Sequence, residues 1–287
     1  MILIYSVLIA VIAMIAVIGN MNQQRKRRRQ ALWAANWLQQ LRVLLEMFPK
    51  HRGMANALLK GDESFKPLLK KLQQEVDAQL QRMQQLAKEC GGLRAAHLPA
   101  PIEQQWLAIR QEVFNLPARK SFEMHTRLIA MVIERLEDDS LGLDALAHNF
   151  GQLRPLLAVL TRELPHIVES IGQARGIGTG VAAQRAGTVA NRVNLKYLHG
   201  KTSDIISYKL VAVRNVISGY QGMDAVIDGA IASAKSFLDV LQRELIENAT
   251  PNIAPEQFYQ QGTAAIDAGF QLFDQLFPRW LQSVGLK

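Results

Sequence analysis

Residues 41–59 read LRVLLEMFPKHRGMANALL, and residues 164–182 read LPHIVESIGQARGIGTGVA. In the first stretch Leu41, Leu45, Phe48, Arg52, Ala55 and Leu59 follow one another at steps of four and three. In the second, Leu164, Val168, Ile171, Arg175, Gly178 and Ala182 do the same. This is the period of an apolar helix face, and each face carries one arginine at a core position. A glycine follows each arginine (Gly53, Gly176), a residue that costs helix stability but lets a neighbouring backbone or a ligand come close.

The same period runs through the rest of the chain, and alternating strand-like runs are scarce, so the fold is read as all-α. Helices are expected at 30–60, 67–90, 101–115, 120–138, 143–186, 189–220, 223–247 and 256–284. The breaks are set by Gly61-Asp62, Gly91-Gly92, Pro99-Ala100-Pro101, Pro117, Gly142 and Pro251. Pro255-Glu256 suits a first helical turn. Pro49 removes a backbone donor one turn before Arg52 and is expected to kink or break the first helix.

From Ile2 to Ile18 the sequence is apolar and uncharged, and Arg25-Lys26-Arg27-Arg28-Arg29 follows. With Gly19 and Met21 the run reaches the roughly 20 residues that a membrane span needs. Basic residues stay on the cytoplasmic side, so the expectation is a single-pass protein of the bacterial inner membrane with its helical domain in the cytoplasm. A headgroup-binding basic run places the domain on the same side. The organisation expected is thus an anchor at 1–21, a basic juxtamembrane segment at 22–34 and a sensor domain at 35–284. If one helix continues from the basic run to Arg52, it carries that residue roughly 35 Å from the membrane surface.

Composition narrows the function. Five of the +8 net charges lie in the basic run, leaving +3 for the remainder, so a nucleic-acid footprint is not expected. The single cysteine, Cys90, rules out an intrachain disulfide. The histidines at 51, 97, 125, 148, 166 and 199 show no helical pairing for a metal, and His125 reads as a satisfied core residue. Gly176-Ile177-Gly178-Thr179-Gly180 follows a helical stretch rather than a strand, which argues against a dinucleotide loop. No nucleophile stands beside a base, and no enzyme activity or cofactor is expected. Trp33 and Trp37 fit interfacial anchors and core residues equally.

A buried arginine keeps its proton and needs an acceptor. A planar oxyanion accepts two parallel hydrogen bonds from a guanidinium edge, so Arg52 and Arg175 from two helices could clamp one anion. The alternative is that both snorkel to solvent or pair with glutamates such as Glu46 or Glu169.

The order and spacing of several segments resemble the nitrate- and nitrite-sensing (NIT) domain family over roughly residues 35–284. These segments are His51-Arg52-Gly53-Met54-Ala55, Ser121 to Ile129 with Ser140-Leu141-Gly142-Leu143-Asp144, Glu163-Leu164-Pro165 through Gly178, and Ala254 to Phe258 with Thr263 to Asp267. The resemblance implies two packed up-and-down four-helix bundles with nitrate or nitrite held between them. Carried over by position, it names Arg52 and Arg175 as ligand-binding residues. His51 stands where some members have a second adjacent arginine, and is the third candidate. A neutral imidazole there weakens the site and makes it pH-sensitive. The function expected is a membrane-anchored sensor acting through an unidentified signalling protein, with homodimerisation left open. A ligand-free helical adaptor, or a sensor of another small anion, is the alternative.

Overall fold

The computed structural model describes residues 2–89, 100–146, 154–217, 222–248 and 250–286. The side chains of 2–8, 10, 145–146, 213, 216–217 and 223 lie outside the description, as do Cys90, His97, His148 and the Gly91-Gly92 break. Among the described residues every regular element is helical, in agreement with the all-α reading.

Helix α1 (Ile2–Leu59) ends where Gly61 turns the chain at φ 107°. It is followed by α2 (Phe65–Lys88), α3 (Ala100–Glu112) and α4 (Ala118–Leu146). Helix α5 (Arg154–Ala158) passes through a π-helical turn at Val159–Glu163 into α6 (Leu164–Gln184). Helix α7 (Val189–Ile205) passes through a second π turn, Ile206–Leu210, into α8 (Val211–Ile217). Helix α9 (Met223–Leu241) ends in a third, Gln242–Ile246, and α10 (Pro255–Ser283) closes the chain. Leu164 directly follows the first π turn and bonds through its N–H to Val159 O, and Pro165, which cannot donate, comes next. Thr188 caps α7 by accepting from Asn191 N at 3.1 Å, and Pro255 opens α10 as its sequence position implies.

Two groups of helices result. The C-terminal half of α1 packs mainly on α4 and α2, with α3 against α4. In the second group α6 packs on α10 and α7, and α10 on α9. Each group fills its own interior. Leu69, Leu72, Val76 and Met83 of α2 recur at helical spacing and are fully or nearly fully buried, as are Phe258, Leu272, Phe273, Leu276 and Phe277 of α10. Helices α1 and α6 meet where the two groups join, which places the arginine stripes opposite each other.

Glycines set the closest approaches. A Cβ on Gly178 would overlap the Phe258 ring and lie 2.6 Å from Leu245 Cδ1, and one on Gly269 would lie 2.7 Å from Val168 Cγ2. These distances are below any tolerable carbon contact, so α6 rests on α10 only because both residues lack side chains.

Four expectations bear on these helices. Pro49 lies inside α1, which continues through it, so of its two expected effects the break does not occur. Gly142 does not end a helix either: α4 runs on to Leu146, and a lone glycine costs too little to stop a helix held by burial on both sides of it, at Ser140 and Leu143. Trp37 is 1% exposed and donates to Asp139 at 2.6 Å, while Trp33 stacks on it and donates to Leu86 O at 2.8 Å, so both belong to the bundle rather than to a membrane interface. Finally, among the described residues no helix is long and apolar enough to cross a membrane. The anchor expected at 1–21 includes residues 2–8 and 10, whose side chains lie outside the description. Among the described side chains of α1 burial begins at Ala31, and residues 11–29 are exposed.

Candidate functional site

The two stripe arginines line the same cavity, about 590 Å³ in volume, between the helix groups. Their environments differ, and the difference defines the site.

Arg52 of α1 is 2% exposed and already has a counter-charge. Its Nη1 donates to Glu169 Oε1 at 2.6 Å and its Nη2 to Glu169 Oε2 at 3.1 Å, the two-pronged geometry that suits a guanidinium and a carboxylate. Nη1 also donates to Thr126 Oγ1 at 3.0 Å, and the guanidinium lies 4.9 Å from the centre of the Phe122 ring. Gln173 Nε2 gives Glu169 Oε1 a further bond at 2.7 Å. Gly172 makes room for the pair, since a Cβ there would stand 3.1 Å from Arg52 Nη2. Pairing with Glu169 was one of the two alternatives for this arginine, while Glu46 pairs with Arg42 instead.

Arg175 of α6 is 8% exposed and, among the described residues, has no carboxylate partner. It holds Thr263 Oγ1 through Nη1 at 2.7 Å and lies over the Tyr259 ring at 4.6 Å. Its stem packs onto α10 at Gly262, where a Cβ would come within 2.9 Å of Arg175 Cγ. Burial, the largest cause, lowers its pKa. Tyr259 raises it, the positive Arg52 lowers it further, and the more distant charges of Asp267 and Glu169 raise it. An arginine does not give up its proton in a protein, so Arg175 is a buried cation whose direct partners are a hydroxyl and an aromatic ring.

Thr179, one turn along α6 from Arg175, has its hydroxyl buried and without a hydrogen-bond partner while lining the cavity. A helical threonine ordinarily returns its hydroxyl to the carbonyl four residues back, and a bare buried hydroxyl is costly. Arg175 and Thr179 thus present unmet donor capacity on one wall. Phe122, Tyr259, Phe65 and Met54 supply apolar surface around them.

His51 is placed elsewhere. It is fully buried in the first helix group, edge-on to Trp106 at 5.1 Å, and does not line the cavity. Its Nδ1 lies 2.7 Å from His125 Nε2, and His125 Nδ1 lies 2.6 Å from Ser121 O. A carbonyl only accepts, so His125 carries its proton on Nδ1 and accepts from His51 Nδ1–H on Nε2. His51 Nε2 is left buried and unpartnered. Burial, the larger cause, and the neighbouring His125 hold the His51 pKa well below 6.5. Burial, opposed by the Ser121 bond and aided by Arg52, lowers that of His125 to about 4. Both rings are therefore neutral at pH 7. The reading of His125 as a satisfied core histidine holds, whereas the candidacy of His51 as an anion ligand does not fit its position.

The sequence reading missed Thr179 and Tyr259. Thr179 had a signal, its i+4 relation to Arg175. Tyr259 had none, because only the approach of α10 to α6 brings it under the guanidinium.

No family model matches the chain, and no curated protein does. Among solved structures the fold is similar to that of the NasR transcription antiterminator. That match has a TM-score of 0.65 and 13% sequence identity, and covers 95% of this chain and 74% of the other. At that identity the likeness establishes a shared all-helical architecture across nearly the whole chain.

Proposed function

We propose that the chain is a non-catalytic sensor whose cavity between the two helix groups binds a planar oxyanion, with nitrate or nitrite as the ligand implied by the NIT-family resemblance. The observation that carries this reading is Arg175, a nearly fully buried cation with a hydroxyl and an aromatic ring for partners but no carboxylate. Charge-assisted bonds are worth about 1.5–3 kcal/mol each before the cost of association, which puts a small anion in the millimolar to micromolar range. The likeness to an antiterminator's fold supports a regulatory role and leaves the output open.

Binding is sensed only if the anion favours one packing of the helix groups over another. Arg52 is placed to report it, since its bonds to Glu169 and Thr126 tie α1 to α6 and α4 beside the cavity. Helix α1 then carries the change outward. Its residues 2–29 extend roughly 40 Å beyond the bundle as a helix whose described side chains are exposed. An uncharged segment from Ile2 to Ile18 in such a position calls for a cover. The proposed cover is the bilayer, with the basic run at 25–29 on its cytoplasmic face. The full chain is expected to stay in the membrane fraction after alkaline carbonate washing. Release into the wash would remove the anchor from this account.

Thermal unfolding of the full-length protein in mild detergent tests the ligand. At a concentration one hundred times Kd, nitrate or nitrite adds about 2.7 kcal/mol of stability, a rise absent for sulfate and absent in Arg175→Ala. If no anion raises the melting temperature of a well-folded protein, the helical adaptor reading replaces this one.

A further inference from the structure

Arg52 is neutralised by Glu169, yet Arg175 is not alone among the described cations of the cavity in having no carboxylate partner. Lys60, at the end of α1, lines the same space and makes no ion pair among the described residues. Its Nζ stands 3.5 Å from where a Cβ of Gly180 would be, an ordinary contact distance, so the ammonium lies beside α6. The unpartnered Thr179 hydroxyl is the neighbouring residue. From Arg175 to Gly180 the helix rises roughly 7.5 Å. Arg175 and Lys60 thus border the cavity at positions about one and a half helical turns apart along α6, and Thr179 lines it too.

The volume points the same way. An oxyanion of four heavy atoms occupies on the order of 100 Å³, at roughly 30 Å³ per water-sized group. The cavity is about 590 Å³. Pockets of several hundred Å³ are the usual size for metabolite-sized ligands, and the surface between the cations is apolar, from Phe122, Tyr259, Phe65 and Met54. Two carboxylates also border the cavity. Asp62 is turned onto Ser64, accepting from its backbone N–H at 3.2 Å and from its hydroxyl, and Glu256 is exposed at the start of α10. Both are exposed, as Lys60 is, so attraction and repulsion at the cavity mouth are screened alike.

We propose that the cavity takes an elongated organic dianion, an α,ω-dicarboxylate, with one carboxylate on Arg175 and Thr179 and the other on Lys60. This rests on the reading of Arg175 as the anion seat and extends the ligand class beyond a single small oxyanion. Thr179 and Lys60 then act as specificity-determining residues: the threonine hydroxyl donates to the inner carboxylate, and the lysine selects ligands long enough to reach the cavity mouth.

Calorimetric titration of the full-length protein with succinate, glutarate, adipate, butyrate and nitrate decides it. In the wild type one of the three dicarboxylates is expected to bind about fivefold or more tighter than butyrate, a preference that shrinks with added salt. Lys60→Ala is expected to bring that dicarboxylate to the butyrate level while leaving butyrate and nitrate unchanged. Thr179→Val is expected to weaken all carboxylates by about tenfold. Equal binding of dicarboxylates and butyrate, or an equal loss for every anion in Lys60→Ala, overturns the dianion inference. Provided Arg175→Ala still abolishes binding, it leaves the anion seat standing. If no anion binds, or Arg175→Ala has no effect, both fall.

Discussion

Glu169→Ala is expected to lower the unfolding free energy of the protein by about 3–5 kcal/mol, the cost of leaving a buried charge without its partner. Arg52 is 2% exposed and cannot deprotonate. Without Glu169 it keeps only the Thr126 hydroxyl and the Phe122 ring, neither of which carries negative charge. The effect belongs to the imbalance rather than to the pair. Replacing both partners by apolar residues of similar size, Arg52→Met with Glu169→Leu, is therefore expected to recover most of the loss. Denaturant unfolding of the two single variants and the double one measures this. A double variant as unstable as the sum of the singles would show no coupling between the two residues and contradict this account of the loss.

The second large effect is acid sensitivity. His51 and His125 are buried and neutral, with pKa values held below their unfolded value near 6.5 by burial first of all. Between that value and the folded one the unfolded chain binds more protons, so stability falls as the pH drops. For His125, whose folded pKa is about 4, the loss between pH 6.5 and pH 4 is about 3 kcal/mol, and His51 adds to it in the same direction. Above pH 6.5 neither ring contributes a slope. Carboxylates titrate over part of the same range, so the measurement is a comparison of stability against pH for the wild type and for His51→Leu with His125→Met. The difference between the two curves is expected to open below pH 6.5. Parallel curves down to pH 4 would mean that the histidines are not the acid-labile element.

Both predictions turn on neighbouring residues of α1, and these show what could be read from the sequence. The stripe through Leu41, Leu45, Phe48 and Arg52 put Arg52 at a core position, and it is buried. It said nothing about residue 51, because spacing describes one face, and successive residues lie about 100° apart around a helix. Helix α1 is packed on two sides, by α2 and α4 within its own group and by α6 across the junction. His51 and Arg52 are therefore both buried while facing different interiors, at 0% and 2% exposure. A resemblance carried over by position put His51 in the anion site, and three-dimensional packing puts it against Trp106 and His125 instead.

Helix positions were legible because burial repeats at the helical period over long segments. What misled was punctuation. Pro49 and Gly142 are breaking residues in isolation, yet α1 and α4 pass through them, since tertiary burial outweighs a local cost of one to a few kcal/mol. The partner of Arg52 was among the glutamates considered. The absence of a carboxylate partner for Arg175 was not legible, because it depends on which residues of α10 arrive over α6. Gly262 and Tyr259 do, and neither carries a charge to offer.

The central claim is that Arg175 seats an anion in the cavity between the helix groups. A crystal structure of the full-length protein grown with nitrate tests it most directly. The account predicts density for a planar anion within hydrogen-bonding distance of the Arg175 guanidinium and the Thr179 hydroxyl, with Arg52 still bound to Glu169. A cavity that holds only water beside Arg175 at saturating nitrate, or a guanidinium turned away from the cavity to a carboxylate, would contradict it.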